Sequence, residues 1–527
     1  MRERYQKIAL PAMLISVALT ALTLIFPKVG YLEWITLIPF FLGAFVYCSD
    51  QKRSLWRTYW GGFLTVFVYY FVIYHWFLSL YPLDFIGMDN ASSAVVVVAG
   101  WVGLSVFQAV PGGLIFVIFK LLSSGKIFDR APALKPIVLS ALWIVFEWSS
   151  TFGWTGVPWG RLCIGQSEYL PVLQSASLLG PYFVSFLILI VNGLLAYAIV
   201  HYRAKITSVL CVALSVVILC SNLLFGMGSM QKKDEDRITV KVAAIQGNVD
   251  MDASGSALPE IMRVYGEMTR EAAADGADII VWPESIFPYR MNRYSLLQDF
   301  VSELAVECNV TLIVGALYGG KDGKTYNTLY MVEPNGEISD NLYHKRHLVP
   351  FGEYVPMREL FMTLIPPLAE LSALDDDLSP GSETALFETK WGKLGGLICF
   401  DSIYEELTRA SAKDGANLMM LPSNDSWWFN TSVETYQNET QAMLRAIESG
   451  RYLVRAGNTG ISSIITEHGE HLSWLAPETK GIAIAEVEMC TEPTLYTRVG
   501  NLFVYLCIAF VVVLFPVNFI MKKKKKI

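Results

Sequence analysis

Four side chains in the second half of the chain have the types that nucleophilic acyl chemistry needs. Glu284 stands in VWPES after an apolar run, Lys345 and Glu353 share the segment YHKRHLVPFGEYVP, and Cys399 ends the apolar run of GGLICFDS. A cysteine attacks as its thiolate, so it needs a base for its proton and gains from a nearby positive group and helix N-terminal amides. Glu284 is the natural base. Lys345 can balance the charge of a tetrahedral intermediate, as an oxyanion hole does. Each residue taken alone has a plainer reading: a turn carboxylate after Pro283, a solvated basic loop, a small core hydrophobe.

The surrounding pattern sets these residues at strand ends, where open α/β sheets usually build sites. Strands are expected at 238–246, 278–282, 311–316, 328–332, 394–400, 418–421, 452–456 and 462–466. Helices are expected at about 258–275, 294–307, 403–414 and 434–449. Such alternation predicts an α/β layered domain. The polar stretch at about 366–383 reads as a long loop, and long loops over such domains are often lids.

The rest of the chain has a different composition. Of 527 residues 53% are hydrophobic and only 17% charged, against about a quarter charged in soluble proteins, so a purely soluble chain is excluded. Apolar blocks long enough for a hydrocarbon core of about 30 Å fall at about 8–26, 30–48, 59–80, 93–120, 136–152, 171–200 and 206–225, with an eighth at 502–520. With a cytoplasmic N-terminus, 17 cations lie on the inside and only Lys28 and Arg161 in short outside loops, which satisfies the positive-inside rule. Seven crossings then put the intervening domain outside the cytoplasm, and the eighth returns the Lys522 to Lys526 tail. The expected organisation is a membrane domain over 1–230, an extracytoplasmic catalytic domain over 231–495, and a last span with a lysine tail over 496–527.

Charge follows the same division. Residues 231–521 balance at −18 and the remainder at +11. An acidic domain repels phosphate backbones, so nucleic acid is an improbable partner. The eight cysteines suggest neither a disulfide framework nor a zinc site, and no metal or cofactor is expected.

The order WPE, then HKRHLVPFGEYVP, then ICFD resembles the carbon–nitrogen hydrolase (nitrilase) superfamily, whose fold is an α-β-β-α sandwich. Seven spans before such a domain and one after it resemble, more narrowly, the apolipoprotein N-acyltransferases of bacterial inner membranes. Gln246-Gly247-Asn248, Ser423 to Trp427, QAMLRAIESGR at 441–451, NTGIS at 458–462, GVPWG at 156–160 and LLGPYFVSFLILIVNGLLA after it are further matches.

The resemblance implies a polytopic helical bundle of about eight spans carrying an extracytoplasmic nitrilase-like domain, with both termini cytoplasmic. It implies acyl transfer from a membrane phospholipid, through a cysteine thioester, to the N-terminal amine of an S-diacylglyceryl-cysteine apolipoprotein. Glu284, Lys345 and Cys399 are then catalytic, with Glu353, Phe400 and Asp401 supporting. Trp282, Asn424, Trp427 and Trp159 are candidate substrate contacts, Trp159 being alternatively an interfacial anchor. Phe400-Asp401 departs from the family's common tyrosine and glutamate, and Asn438 stands where a histidine is usual. Glu147, a carboxylate inside an apolar span, is either functional or structurally paired. Two other functions fit parts of the pattern: a membrane-anchored amidase that lets water resolve the thioester, and a non-catalytic lipid-binding scaffold.

Overall fold

The computed structural model describes residues 2–83, 88–123, 125–231, 236–249, 257–364, 377–426 and 433–523. The chain divides into two compact units. One comprises Met1–Leu78, Ala94–Lys232 and Val499–Ile527, the other Ser79–Ser93 and Lys233–Arg498. Ser79–Ser93, placed by the sequence pattern with the N-terminal helices, thus groups with the second unit.

The first unit is helical. Among the described residues six helical segments are long and apolar enough to cross a membrane: Gln6–Ile25, Pro27–Cys48, Leu55–Leu80, Asn90–Ser123, Pro181–Val200 and Lys205–Met230. One expected block gives a shorter helix, Leu134–Ser149 with 16 residues, while the eighth forms the 22-residue helix Leu502–Lys523. The expected block 171–200 is interrupted because Gly180, at φ 84°, stops one helix and Pro181 starts the next.

Several buried polar groups in this unit find partners within it, as an apolar solvent favours. Glu33 accepts from Thr23 (3.1 Å) and Gln166 (2.5 Å), and Asn192 caps the Leu37 N–H (3.0 Å). Glu147 accepts from the Trp143 indole and the Leu162 N–H, both at 3.1 Å. Arg161 lies over the Tyr182 ring at 5.3 Å, and Trp159 is buried against Trp76.

The second unit is a four-layer α-β-β-α sandwich. Its first sheet contains Thr239–Gln246 (β1), Ile279–Val281 (β2), Phe287–Arg290 (β3), Thr311–Gly319 (β4), Thr325–Val332 (β5) and Tyr343–His344 (β6). The second contains Leu386–Thr389 (β7), Gly392–Gly396 (β8), Leu418–Ser423 (β9), Tyr452–Gly457 (β10), Ser462–Ile465 (β11) and His471–Leu475 (β12). Gly481–Glu488 (β13) returns to the first sheet, giving the order β13-β1-β2-β4-β5-β6 with β3 on β4; the second runs β12-β11-β10-β9-β8-β7.

Alternation along the strands builds the layers. Val240, Val242 and Ala244 on β1 face Leu418 and Met420 on β9 and Val454 and Ala456 on β10, all buried between the sheets. The opposite faces of β1, β2 and β4 pack Ala243, Ile280 and Leu312 against Ile261, Tyr265 and Met268 of helix Leu258–Ala274 and Leu297 and Val301 of helix Ser295–Cys308. Each such large apolar side chain contributes about 1.5–3 kcal/mol when fully buried. Helices Glu405–Asp414 and Val433–Ser449 belong to the second sheet's side, following β8 and β9.

Expected and observed elements agree at most centres and differ where chemistry intervenes. The strand expected over 394–400 stops at Gly396, because Cys399 has a positive φ of 46° and opens the turn Cys399–Ile403. Of the expected loop 366–383, residues 366–376 lie outside the described residues. Its last part is pinned: Leu378 N–H bonds Glu353 O, Ser379 N–H bonds Thr325 O and Gly381 N–H bonds Lys345 O, each at 2.8 Å.

Candidate active site

Three parallel strands deliver the site. β2 runs parallel to β4, and β8 runs parallel to β9, which runs parallel to β10. Glu284 follows β2, Cys399 follows β8 and Asn424 follows β9. Lys345 arrives from β6, its N–H still bonded to Asn327 O on β5 at 2.8 Å.

Local sequence makes these placements possible. Pro283 ends the β2 ladder, and the turn at Glu284-Ser285 carries Ser285 at φ 47°. Gly315 on β4 lets this turn approach: a Cβ there would meet Pro283 O at 2.5 Å and Glu284 Cα at 2.8 Å. Cys399, also at positive φ, holds a conformation that costs a non-glycine residue about 1–3 kcal/mol, and it persists because its neighbours fix it.

Lys345 is the centre of the charge arrangement. It is 1% exposed, and its Nζ lies 2.8 Å from Glu284 Oε1 and 2.9 Å from Glu353 Oε2. Asn327 Nδ2 donates to the same two carboxylates, at 2.7 Å to Glu284 and 3.0 Å to Glu353. Glu284 Oε2 accepts the Asn424 N–H at 2.9 Å, and Glu353 Oε2 accepts the Val349 N–H at 2.8 Å. The carboxylates are 5% and 6% exposed, so each needs these partners.

The electrostatics follow from burial against pairing. Burial raises the Glu284 pKa, Lys345 opposes the rise and Glu353 adds to it, for a net increase. Burial alone would lower Lys345, but the Glu284 and Glu353 charges outweigh it and hold the ammonium firmly protonated. Burial, then the Glu284 charge, push the Cys399 thiol well above its ordinary value despite Lys345. The shift favours the protonated thiol at rest, so attack by the sulfur calls for a proton acceptor. A raised carboxylate is the matching acceptor.

Asp401 ties the cysteine turn to the lysine segment. Fully buried, it accepts from the Ile398 N–H (3.1 Å), the His347 N–H (2.8 Å), the Arg346 N–H (3.3 Å) and the Tyr343 hydroxyl (2.9 Å). Burial dominates these donors and raises its pKa to about 6.

Two family models match the chain: the apolipoprotein N-acyltransferase N-terminal domain over residues 16–194 and the carbon–nitrogen hydrolase domain over 241–492. The apolipoprotein N-acyltransferase of Geobacter metallireducens is 32% identical over 94% of this chain and 92% of its own. The chain belongs to the apolipoprotein N-acyltransferase family. The family's enzyme from Gloeobacter violaceus is 27% identical over 93% of this chain and 90% of its own. Among solved structures, the carbon–nitrogen hydrolase of Helicobacter pylori is 19% identical, with a TM-score of 0.38 over 48% of this chain and 89% of that one.

The family motifs named from sequence do not all converge. Glu284, Lys345, Glu353, Asp401 and the Asn424 N–H form one connected set with Cys399 beside it. Phe400 is half-buried and packs edge-on to Tyr404. Trp282 fills the core behind β2: its indole N–H donates to Thr269 at 3.0 Å and its ring packs on Tyr265. Trp427 lies outside the described residues. Trp159 and Glu147 belong to the first unit. Asn327, which no motif singled out, fell just before the strand expected at 328–332; the observed strand starts earlier, at Thr325, and so buries it.

Proposed function

We propose that the protein transfers an acyl chain from a membrane phospholipid to the N-terminal amine of an S-diacylglyceryl-cysteine apolipoprotein, through a thioester on Cys399. One observation carries the reading: Lys345 held between Glu284 and Glu353 near Cys399. Membership in the acyltransferase family over nearly the whole chain supports transfer to an amine as the outcome.

In the first half-reaction Glu284 takes the Cys399 proton while the sulfur attacks the phospholipid ester carbonyl. The tetrahedral oxyanion is balanced by Lys345. The S–C bond remains, the ester C–O bond breaks, and Glu284 returns the proton to the departing lysophospholipid alkoxide. In the second half-reaction the apolipoprotein amine attacks the thioester, Glu284 accepts the amine proton, and the C–S bond breaks. The products are an amide and the regenerated thiol. Glu353 and Asn327 keep Lys345 and Glu284 in register through both steps.

Both substrates carry long acyl chains, and exposing one costs about 0.8 kcal/mol per methylene. A catalytic domain on a membrane bundle avoids that loss by taking both from the bilayer. The arrangement proposed is eight spans in the bacterial inner membrane, with residues 231–495 outside the cytoplasm and both termini inside. The charge distribution supports this orientation.

Transfer is separated from hydrolysis by the fate of the thioester. Acylated protein is mixed with diacylglyceryl peptide or with buffer alone, and loss of the acyl mass is followed. Clearance at least 100-fold faster with the peptide is expected; equal rates identify a hydrolase and overturn the proposal.

A further inference from the structure

A second buried charge system lies near Cys399. Asp425, two residues beyond β9, is fully buried and meets the Arg455 guanidinium of β10, whose Nη2 lies 3.0 Å from Oδ1 and 2.8 Å from Oδ2. Arg455 is itself 1% exposed. The same Nη2 donates to Ser423 Oγ at 3.3 Å, and Ser423 Oγ lies 3.1 Å from Asp425 Oδ1. Ser423 neighbours Cys399: β8 and β9 pair at Gly396 and Met420, and the two residues each lie three positions further along, near enough for the hydroxyl to act on the thiol.

The chain makes room for this cluster. Gly460 in the segment NTGIS faces the Asp425 carboxylate, and a Cβ there would meet Asp425 Oδ2 and its Cγ well inside contact distance. Asn438 Nδ2 donates to Asp425 Oδ1 at 3.3 Å, while Asn438 Oδ1 accepts from Ser402 of the cysteine turn at 3.2 Å. Arg455 Nη1 is held by Ile461 O at 2.9 Å and by Glu439 at 3.4 Å.

Ser423 has one proton and two claimants. Asp425 is an anion and would keep that proton if its charge were unopposed. Arg455 engages both Asp425 oxygens and so weakens that claim. We propose that Arg455 is a positioning residue of the site, which frees the Ser423 hydroxyl proton to turn to the Cys399 sulfur as it becomes a thiolate. The inference rests on Cys399 being the nucleophile, and it adds a second group acting on the sulfur besides Lys345.

The groups involved are enumerable. Cys399 is faced by Glu284 after β2, Lys345 after β6 and Asp425 after β9. Arg455 is faced by Asp425, by Glu439 and Glu434 on helix Val433–Ser449, and by Cys399. His471 on β12 lies 2.8 Å from Glu439, which in turn lies 3.4 Å from Arg455. Removing Arg455 leaves Asp425 as an unbalanced negative charge near the sulfur, which raises the thiol further.

The test is the pH dependence of iodoacetamide alkylation at Cys399, read by peptide mass spectrometry on the full-length protein in detergent. Arg455→Gln is expected to slow alkylation at neutral pH about tenfold and move the profile up by about one pH unit. The double variant Asp425→Asn/Arg455→Gln, which removes both charges, is expected to return most of that shift. Loss of packing alone would give no such recovery. A profile of Arg455→Gln that coincides with wild type, or a double variant no closer to wild type, overturns the inference.

Ser423→Ala leaves the ion pair in place and is expected to shift the profile in the same direction, so it decides the matter if Arg455→Gln does not fold; an unshifted Ser423→Ala profile overturns the inference equally. Wild-type Cys399 that resists alkylation at every pH contradicts the nucleophile itself, a different failure from an alkylated but unshifted variant.

Discussion

Asn327 and Lys345 each touch both Glu284 and Glu353, so one neutral amide and one ammonium are shared by two buried carboxylates. The Asn327 backbone also accepts the Lys345 N–H at 2.8 Å, which fixes the two side chains side by side across β5 and β6. Glu284 is thereby held by an uncharged donor as well as by the ammonium, and under the proposed mechanism the amide keeps the base in place while Lys345 balances the oxyanion.

Replacing Asn327 tests that arrangement. A buried hydrogen bond to a charged group is worth about 1.5–3 kcal/mol, so Asn327→Ala is expected to slow formation of the Cys399 adduct about 10- to 150-fold. Asn327→Asp, which adds a third carboxylate, is expected to be slower still. Single-turnover adduct rates check both, and an Asn327→Ala rate within twofold of wild type removes Asn327 from the account.

Lys345→Ala leaves two buried carboxylates without their cation. Breaking such a pair costs about 3–5 kcal/mol of stability, and losing an oxyanion partner costs about 100- to 1000-fold in rate. Thermal unfolding and adduct formation measured on one preparation separate the two effects. Unchanged acylation kinetics would eliminate the stabilising role of Lys345.

The Glu284 shift fixes the sign of the pH dependence. A base works as its carboxylate, and burial has raised Glu284 above the ordinary value of about 4.3. Adduct formation is therefore expected to fall as the solution is acidified, beginning above that ordinary value. A rate that is flat, or that rises, between pH 7 and 4.5 contradicts Glu284 as the base.

Asp401 gives a stability counterpart. Its folded-state pKa is raised to about 6, above about 3.9 when unfolded, so the folded state binds this proton more tightly. The contribution is fully present below about pH 4 and is lost as pH rises through about 6. Asp401→Asn should flatten the dependence of Tm on pH in that interval. It should also cost about 1–3 kcal/mol at neutral pH, because an amide nitrogen then faces donors. An unchanged slope between pH 4 and 6 counts against the buried carboxyl as its source.

The sequence made the reactive residues legible because each sits in a short local pattern: Glu284 after Pro283, Lys345 and Glu353 in one segment, Cys399 at the end of an apolar run. What brings them together is not local. Asn327 is separated from Glu284 by β4, and Asp425 meets Arg455 across 30 residues of chain. The pairing of β1 with β13 spans the whole domain, and β13 carries no alternation clear enough to announce it. Cys399 ended its expected strand early through a positive φ, which strand propensity does not encode. The Trp282 indole belongs to the layer between sheet and helices, where its N–H finds Thr269 from another element. Glu147 likewise acquired its two donors from Trp143 one turn away and Leu162 beyond the helix.

The central claim is a thioester on Cys399. Purified full-length protein is incubated with phospholipid, digested, and its cysteine peptides weighed with and without hydroxylamine. An acyl mass on the Cys399 peptide that hydroxylamine removes, and that is missing from Glu284→Gln, is the result this account predicts. Wild-type protein with no adduct, or with the acyl mass on a different cysteine, contradicts it.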